Sequence, residues 1–176
     1  MDPLIKKAKA YATQAHAAID QRRKYTNDPY IVHPAAVAKL VASVTDDVAM
    51  ICAAWLHDVV EDTPCSIEDI AREFGDDVAS LVADLTDVAQ PGDGNREVRK
   101  AIDRAHTAAA SPRAKTIKLA DLIDNTKTIT RYDQGFARVY MAEKKQLLKV
   151  LSEGDGTLYE QACSIVDEYY NSALCR

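Results

Sequence analysis

Apolar residues recur every three or four positions along most of the chain and nowhere alternate in twos, so the pattern predicts helices and no strands. Leu4, Ala8, Tyr11, Ala12, Ala15 and Ile19 make one stripe over residues 3–20, with Pro3 at a first helical position. The stretch QRRKYTNDPY, residues 21–30, breaks that stripe. Its Asn27-Asp28-Pro29 signals a turn, because the residue before a proline leaves the helical region. His33-Pro34 opens a second helix carrying Val37, Ala38, Leu40 and Val41. Asp46 and Asp47 cap a third, with Val48, Ile51, Cys52, Trp55 and Val59; it is expected to run through Asp62 and stop at Thr63-Pro64.

Ser66 to Asp69 reads as the capping-box start of a short helix closed by Gly75. Asp76 starts another, to about Val88, and QPGDGN at 90–95 reads as a mobile loop. Further helices are expected over Arg96–Ala110, from Ser111-Pro112 to Ile129, over about 136–153, and over about 157–174 after Gly154-Asp155-Gly156. The expected fold is all-α, a bundle of about eight to ten helices in a single domain spanning 1–176.

Composition narrows the function classes. A hydrophobic content of 47% with 6 Gly and 6 Pro fits a globular helical chain. The net charge of -5 gives no general affinity for a nucleic-acid polymer but leaves room for a small anionic ligand. Cys52, Cys65, Cys163 and Cys175 show no CxxC or zinc-finger spacing and read as reduced thiols of a cytoplasmic protein. No apolar run approaches about 18 residues, so no membrane span is expected, and the first residues do not read as a signal peptide. A homo-oligomer is left open.

The chemistry concentrates in WLHDVVEDT, residues 55–63. His57, Asp58, Glu61 and Asp62 are four ionisable groups on the last turns of a buried apolar helix, and such groups must be neutralised, hydrogen-bonded or bound to a metal. His33 is fixed beside a proline, and Asp121 sits on the apolar stripe of a later helix with Asn125 and Thr128 on the same face. His33, His57, Asp58 and Asp121 are the candidate metal ligands. Mixed nitrogen and carboxylate donors suit manganese, iron or zinc, with Mn²⁺ favoured when the two kinds are equal in number. Arg22, Arg23 and Lys24 are the densest basic cluster, either a solvated helix end or a phosphate and base clamp. His16 and His106 are read as structural, and Tyr140 as a core residue unless a nucleotide lies beside it.

The set His33, His57-Asp58 and Asp121 resembles the HD superfamily of metal-dependent phosphohydrolases. The longer pattern PYIVHP, LHDVVEDT, FG and KLADLIDN resembles the hydrolase domain of the RelA/SpoT proteins and the stand-alone small alarmone hydrolases, over about residues 5–150. That resemblance implies bound Mn²⁺ and hydrolysis of the 3′-pyrophosphate of (p)ppGpp to GDP or GTP and pyrophosphate. It assigns Glu61 and Asp62 to water activation and proton transfer, and Arg23, Lys24, Asn125, Thr128 and Tyr140 to the nucleotide. Asn27 stands where relatives often carry glycine, Asp124 where they show an aromatic or histidine, and Lys127 replaces a common arginine. Two other readings stand beside it: a phosphomonoesterase acting on another nucleotide, and a non-catalytic nucleotide-binding module.

Overall fold

The run Val48–Leu56 is apolar on every side, and a helix of that kind is stable only when it is surrounded. The structure, a computed structural model, describes residues 2–174 and buries every residue from Met50 to Leu56. Among the described residues it contains ten α-helices and no strand, only an isolated bridge between Arg22 and Pro29. The helices gather into two compact units, residues 1–87 and 88–176.

In the first unit, α1 (Pro3–Ala18), α2 (Val32–Ala42), α3 (Val48–Leu56) and the single turn α4 (Val59–Asp62) precede a pair, α5 (Ile67–Phe74) and α6 (Asp76–Leu85). α3 is the hub, touching α1, α2 and α6. Its start is fixed by Asp47, which accepts from the Met50 N–H at 3.1 Å, and its core position places the following residues at a buried helix end. α5 begins with the predicted capping box: Ser66 and Asp69 accept each other's backbone N–H. Gly75 closes α5 at φ +88°, a conformation that a side chain would strain.

The second unit contains α7 (Arg96–Ala109), α8 (Pro112–Tyr132), α9 (Gln134–Leu148) and α10 (Gly156–Leu174). α8 packs on α9 and α10 and buries Ile117, Leu119, Leu122 and Ile123. The turn before α10 lies directly on α8: a Cβ at Gly154 would come 2.8 Å from Leu119 Cδ1 and 3.1 Å from the Lys115 and Thr116 backbone, so a side chain there would have to displace Leu119 and press on the α8 backbone. Asp133 accepts from the Phe136 N–H at 3.0 Å and starts α9 two residues earlier than the pattern predicts. The segment 90–95, expected as a mobile loop, contains a 3₁₀ turn at Pro91–Asp93. Buried Asp103 accepts from the Val88 and Ala89 N–H groups at 3.1 and 2.9 Å and ties the approach to that turn.

Cys52, Cys65 and Cys163 are free thiols, and Cys175 lies outside the described residues. Burial pushes the Cys52 thiol up to about 11, so it stays protonated and serves as a packing group. No helix among the described residues is long and apolar enough to cross a membrane.

Candidate active site

Sequence periodicity predicts one helix running through Asp62, but the helix ends at Leu56, turns over His57-Asp58, and resumes as α4. The reason is local. His57 Nδ1 lies 2.9 Å from the Ala54 carbonyl, which an unbroken helix would offer to the Asp58 N–H. Asp58 takes φ -98° and ψ -5°, at the edge of the helical region. The break turns both side chains toward α2 while the Asp62 N–H still reaches the Asp58 carbonyl at 2.9 Å.

A carbonyl can only accept, so His57 carries its hydrogen on Nδ1 and directs Nε2 at Asp58. His57 Nε2 and His33 Nε2 lie 3.1 and 3.6 Å from Asp58 Oδ2. One ligand atom from each of the three residues falls within 4.8 Å of the others, and both rings are buried, His33 at 0% and His57 at 3% exposure. The donor set fits a divalent transition ion: two imidazole nitrogens and a carboxylate converge, and one nitrogen has its tautomer set by a backbone carbonyl, the usual support for a metal-binding histidine. The Tyr30 hydroxyl donates to Asp58 Oδ2 at 2.6 Å and orients the carboxylate. Sequence reading gave Tyr30 no role, although its place three residues before His33 sets it on the same face of that helical start.

Glu61 and Asp62 follow on α4, and both reach the surface. Glu61 Oε2 accepts the Asp87 N–H at 3.2 Å. Asp62 Oδ2 accepts from Gln21 Nε2 at 2.8 Å. Loss of hydration against the surrounding protein raises the Asp62 pKa; the Gln21 hydrogen bond opposes this, and the charge of Asp58 adds to it. Ionised Asp62 therefore costs the fold stability above its folded pKa, a cost that disappears below the unfolded value of about 4. Asp62→Asn is expected to raise the Tm at neutral pH and to give no gain near pH 3, read by thermal melts across pH; an equal gain at both would assign the effect to something other than charge.

The basic cluster sits on a closed hairpin. The Arg23 N–H donates to the Asp28 carbonyl at 2.9 Å and the Asn27 N–H to the Arg23 carbonyl at 3.0 Å, with Asn27 at φ +59°, the left-handed conformation that asparagine tolerates. The Arg23 guanidinium lies 5.8 Å from the Tyr30 ring centroid, and Lys24 Nζ 4.9 Å from that of Tyr25.

In the second unit the structure assembles the α8 residues. Asp121 is 8% exposed, accepts from Asn125 Nδ2 at 2.6 Å, and has Lys118 Nζ 3.7 Å from its Oδ2. The Thr128 hydroxyl donates to the Asn125 carbonyl at 3.2 Å. Tyr140 is buried on α9, its ring 6.2 Å from that of Phe136 and 4.8 Å from Lys144 Nζ. His106 lies in the last turn of α7.

A family model described as an HD domain matches residues 8–156. The chain belongs to the HD-domain family. Guanosine-3′,5′-bis(diphosphate) 3′-pyrophosphohydrolase MESH1 of Xenopus tropicalis is 37% identical to this HD domain over 132 residues, 73% of the chain and 70% of that protein. A probable GTP pyrophosphokinase of Mycobacterium leprae is 39% identical over 127 residues, 72% of the chain. The HD domain spans only 13–20% of the length of that protein and three other bacterial relatives. The solved structure of a metazoan ortholog of SpoT, described as hydrolysing ppGpp, superposes with a TM-score of 0.86 at 30% identity and covers 96% of this chain and 97% of that one.

Proposed function

We infer that this HD domain hydrolyses the 3′-pyrophosphate of (p)ppGpp, giving GDP or GTP and pyrophosphate. The observation that carries this is the meeting of His33, His57 and Asp58 one turn before Glu61 and Asp62, in a chain similar over most of its length to proteins named for that reaction. His33, His57 and Asp58 are the proposed ligands of a divalent cation, Mn²⁺ in this reading; Asp121 joins them on its KLADLIDN motif. Such an ion, when bound, lowers the pKa of a coordinated water and polarises a phosphoryl oxygen.

The chain's own groups do the rest. Glu61, steadied by the Asp87 N–H, takes the proton of the attacking water, and Asp62 assists the transfer. Arg23 and Lys24 receive the base and its phosphates, and Arg23 approaches as a planar fork already lying by Tyr30. Asn125 and Thr128 face the ribose and phosphates, and Tyr140 a further part of the nucleotide. The substrate is a small soluble nucleotide rather than a polymer, consistent with the net charge of -5 and with a cytoplasmic enzyme.

Purified protein incubated with Mn²⁺ and a panel of nucleotides is expected to release pyrophosphate from ppGpp. Orthophosphate release from a nucleotide monophosphate ester, with ppGpp untouched, would favour the phosphomonoesterase instead. Arg23→Ala is expected to raise KM for ppGpp by about 10- to 100-fold, the worth of a charged hydrogen bond, with kcat much less affected. A defect confined to kcat would remove Arg23 from the binding role.

A further inference from the structure

Gln21 makes hydrogen bonds to α1, to the basic hairpin and to α4. Its backbone N–H donates to the His16 carbonyl at 3.1 Å, and its carbonyl accepts from the Tyr30 N–H at 3.1 Å, so its main chain closes the base of the basic hairpin. Its side chain does something separate. Oε1 lies 2.7 Å from His16 Nδ1 and Nε2 lies 2.8 Å from Asp62 Oδ2.

The direction of these bonds is fixed by what each atom can do. A carboxylate accepts only, so the amide must present its NH₂ to Asp62. That leaves Oε1, also an acceptor only, toward His16, and the ring must carry its hydrogen on Nδ1. The reversed amide would place its oxygen against a carboxylate oxygen. His16 is 1% exposed, its ring is 4.8 Å from that of Tyr30, and its buried Nε2 has no hydrogen-bond partner among the described residues, so within them the bond to Gln21 is the hydrogen bond that its ring makes. A buried imidazole held in one tautomer thus sets the orientation of an amide, which donates to the acid; aligned bonds of this kind polarise one another.

We propose that Gln21, oriented by His16, is a positioning residue for Asp62: it fixes the carboxylate rotamer and keeps a donor on Oδ2, so that Asp62 meets the reaction as an oriented proton acceptor. The proposal rests on the hydrolase reading above. It gives a buried histidine that reads as structural in the sequence a share in the chemistry two hydrogen bonds away. It also separates two tasks within one residue, since the main chain of Gln21 holds the substrate-facing hairpin and its side chain holds the acid.

The test uses Gln21→Met, which keeps length and main chain but loses both side-chain bonds, and His16→Phe, which keeps a ring beside Tyr30. Nitrogen-15 NMR of His16 in the metal-free wild-type protein is expected to show the Nδ1–H tautomer, and Gln21→Met to unlock it. In ppGpp hydrolysis with Mn²⁺, Gln21→Met is expected to lower kcat about 10- to 100-fold with KM within about threefold, and His16→Phe to lower kcat about three- to tenfold. An Nε2–H tautomer in the wild type would overturn the proposal, as would a Gln21→Met kcat within about twofold of wild type or a change confined to KM. A wild-type protein that releases no pyrophosphate from ppGpp would end the hydrolase reading and this role with it, whereas an active wild type with an indifferent Gln21 would end the role alone.

Discussion

Asp58→Asn is expected to abolish most hydrolysis, lowering kcat/KM for ppGpp by roughly 10³-fold, the scale of several kcal/mol that a bound cation contributes. The substitution is nearly isosteric, and an amide oxygen can still accept from the Tyr30 hydroxyl 2.6 Å away, so the fold around it is kept. What disappears is the negative charge next to the two buried imidazoles, whose Nε2 atoms lie 3.1 and 3.6 Å from the same carboxylate oxygen. Calorimetric titration with Mn²⁺ should show weaker binding at least in proportion, with a wild-type Tm in the metal-free protein. Unchanged Mn²⁺ affinity would mean that the cation is held elsewhere and that His33, His57 and Asp58 are a structural cluster.

Glu61→Gln carries the second large effect, a fall in kcat of about 10²- to 10⁴-fold, the range of a general base. The amide oxygen of the replacement can still accept the Asp87 N–H that Glu61 Oε2 receives at 3.2 Å, so the approach from α6 stays in place. Mn²⁺ affinity and KM should stay near wild type, because the lost function is proton acceptance and not ligation. Together the two variants divide the site: one loses the metal, the other keeps it and loses the chemistry. A Glu61→Gln enzyme with full turnover would pass the base role to Asp62 or return the domain to the non-catalytic reading.

Much of this was legible because the signals are local. Apolar spacing, Pro3 and Pro34 at helix starts, Asp47 and Ser66 as caps, and Gly75 as a terminator each act within one or two turns, and the structure places them as read. The break at His57-Asp58 escaped the reading because the same apolar spacing continues through Val59, and it is a side chain's claim on the Ala54 carbonyl that interrupts it. Tyr30, Gln21 and Asp87 escaped for another reason. They are ordinary residue types whose importance lies in contacts 28, 41 and 26 positions away along the chain.

The amino-acid sequence by itself determined that the chain is helical and that it carries the HD motifs with an adjacent acidic pair. Helical propensity, capping and spacing are properties of neighbouring residues, and a motif is a statement about residue order. Only the tertiary structure decided that His33 meets His57 and Asp58, which tautomer His57 adopts, and that a buried histidine reaches Asp62 through an amide. Those outcomes depend on distances of about 3 Å between atoms that packing, not sequence order, brings together, and a hydrogen bond exists only at such distances.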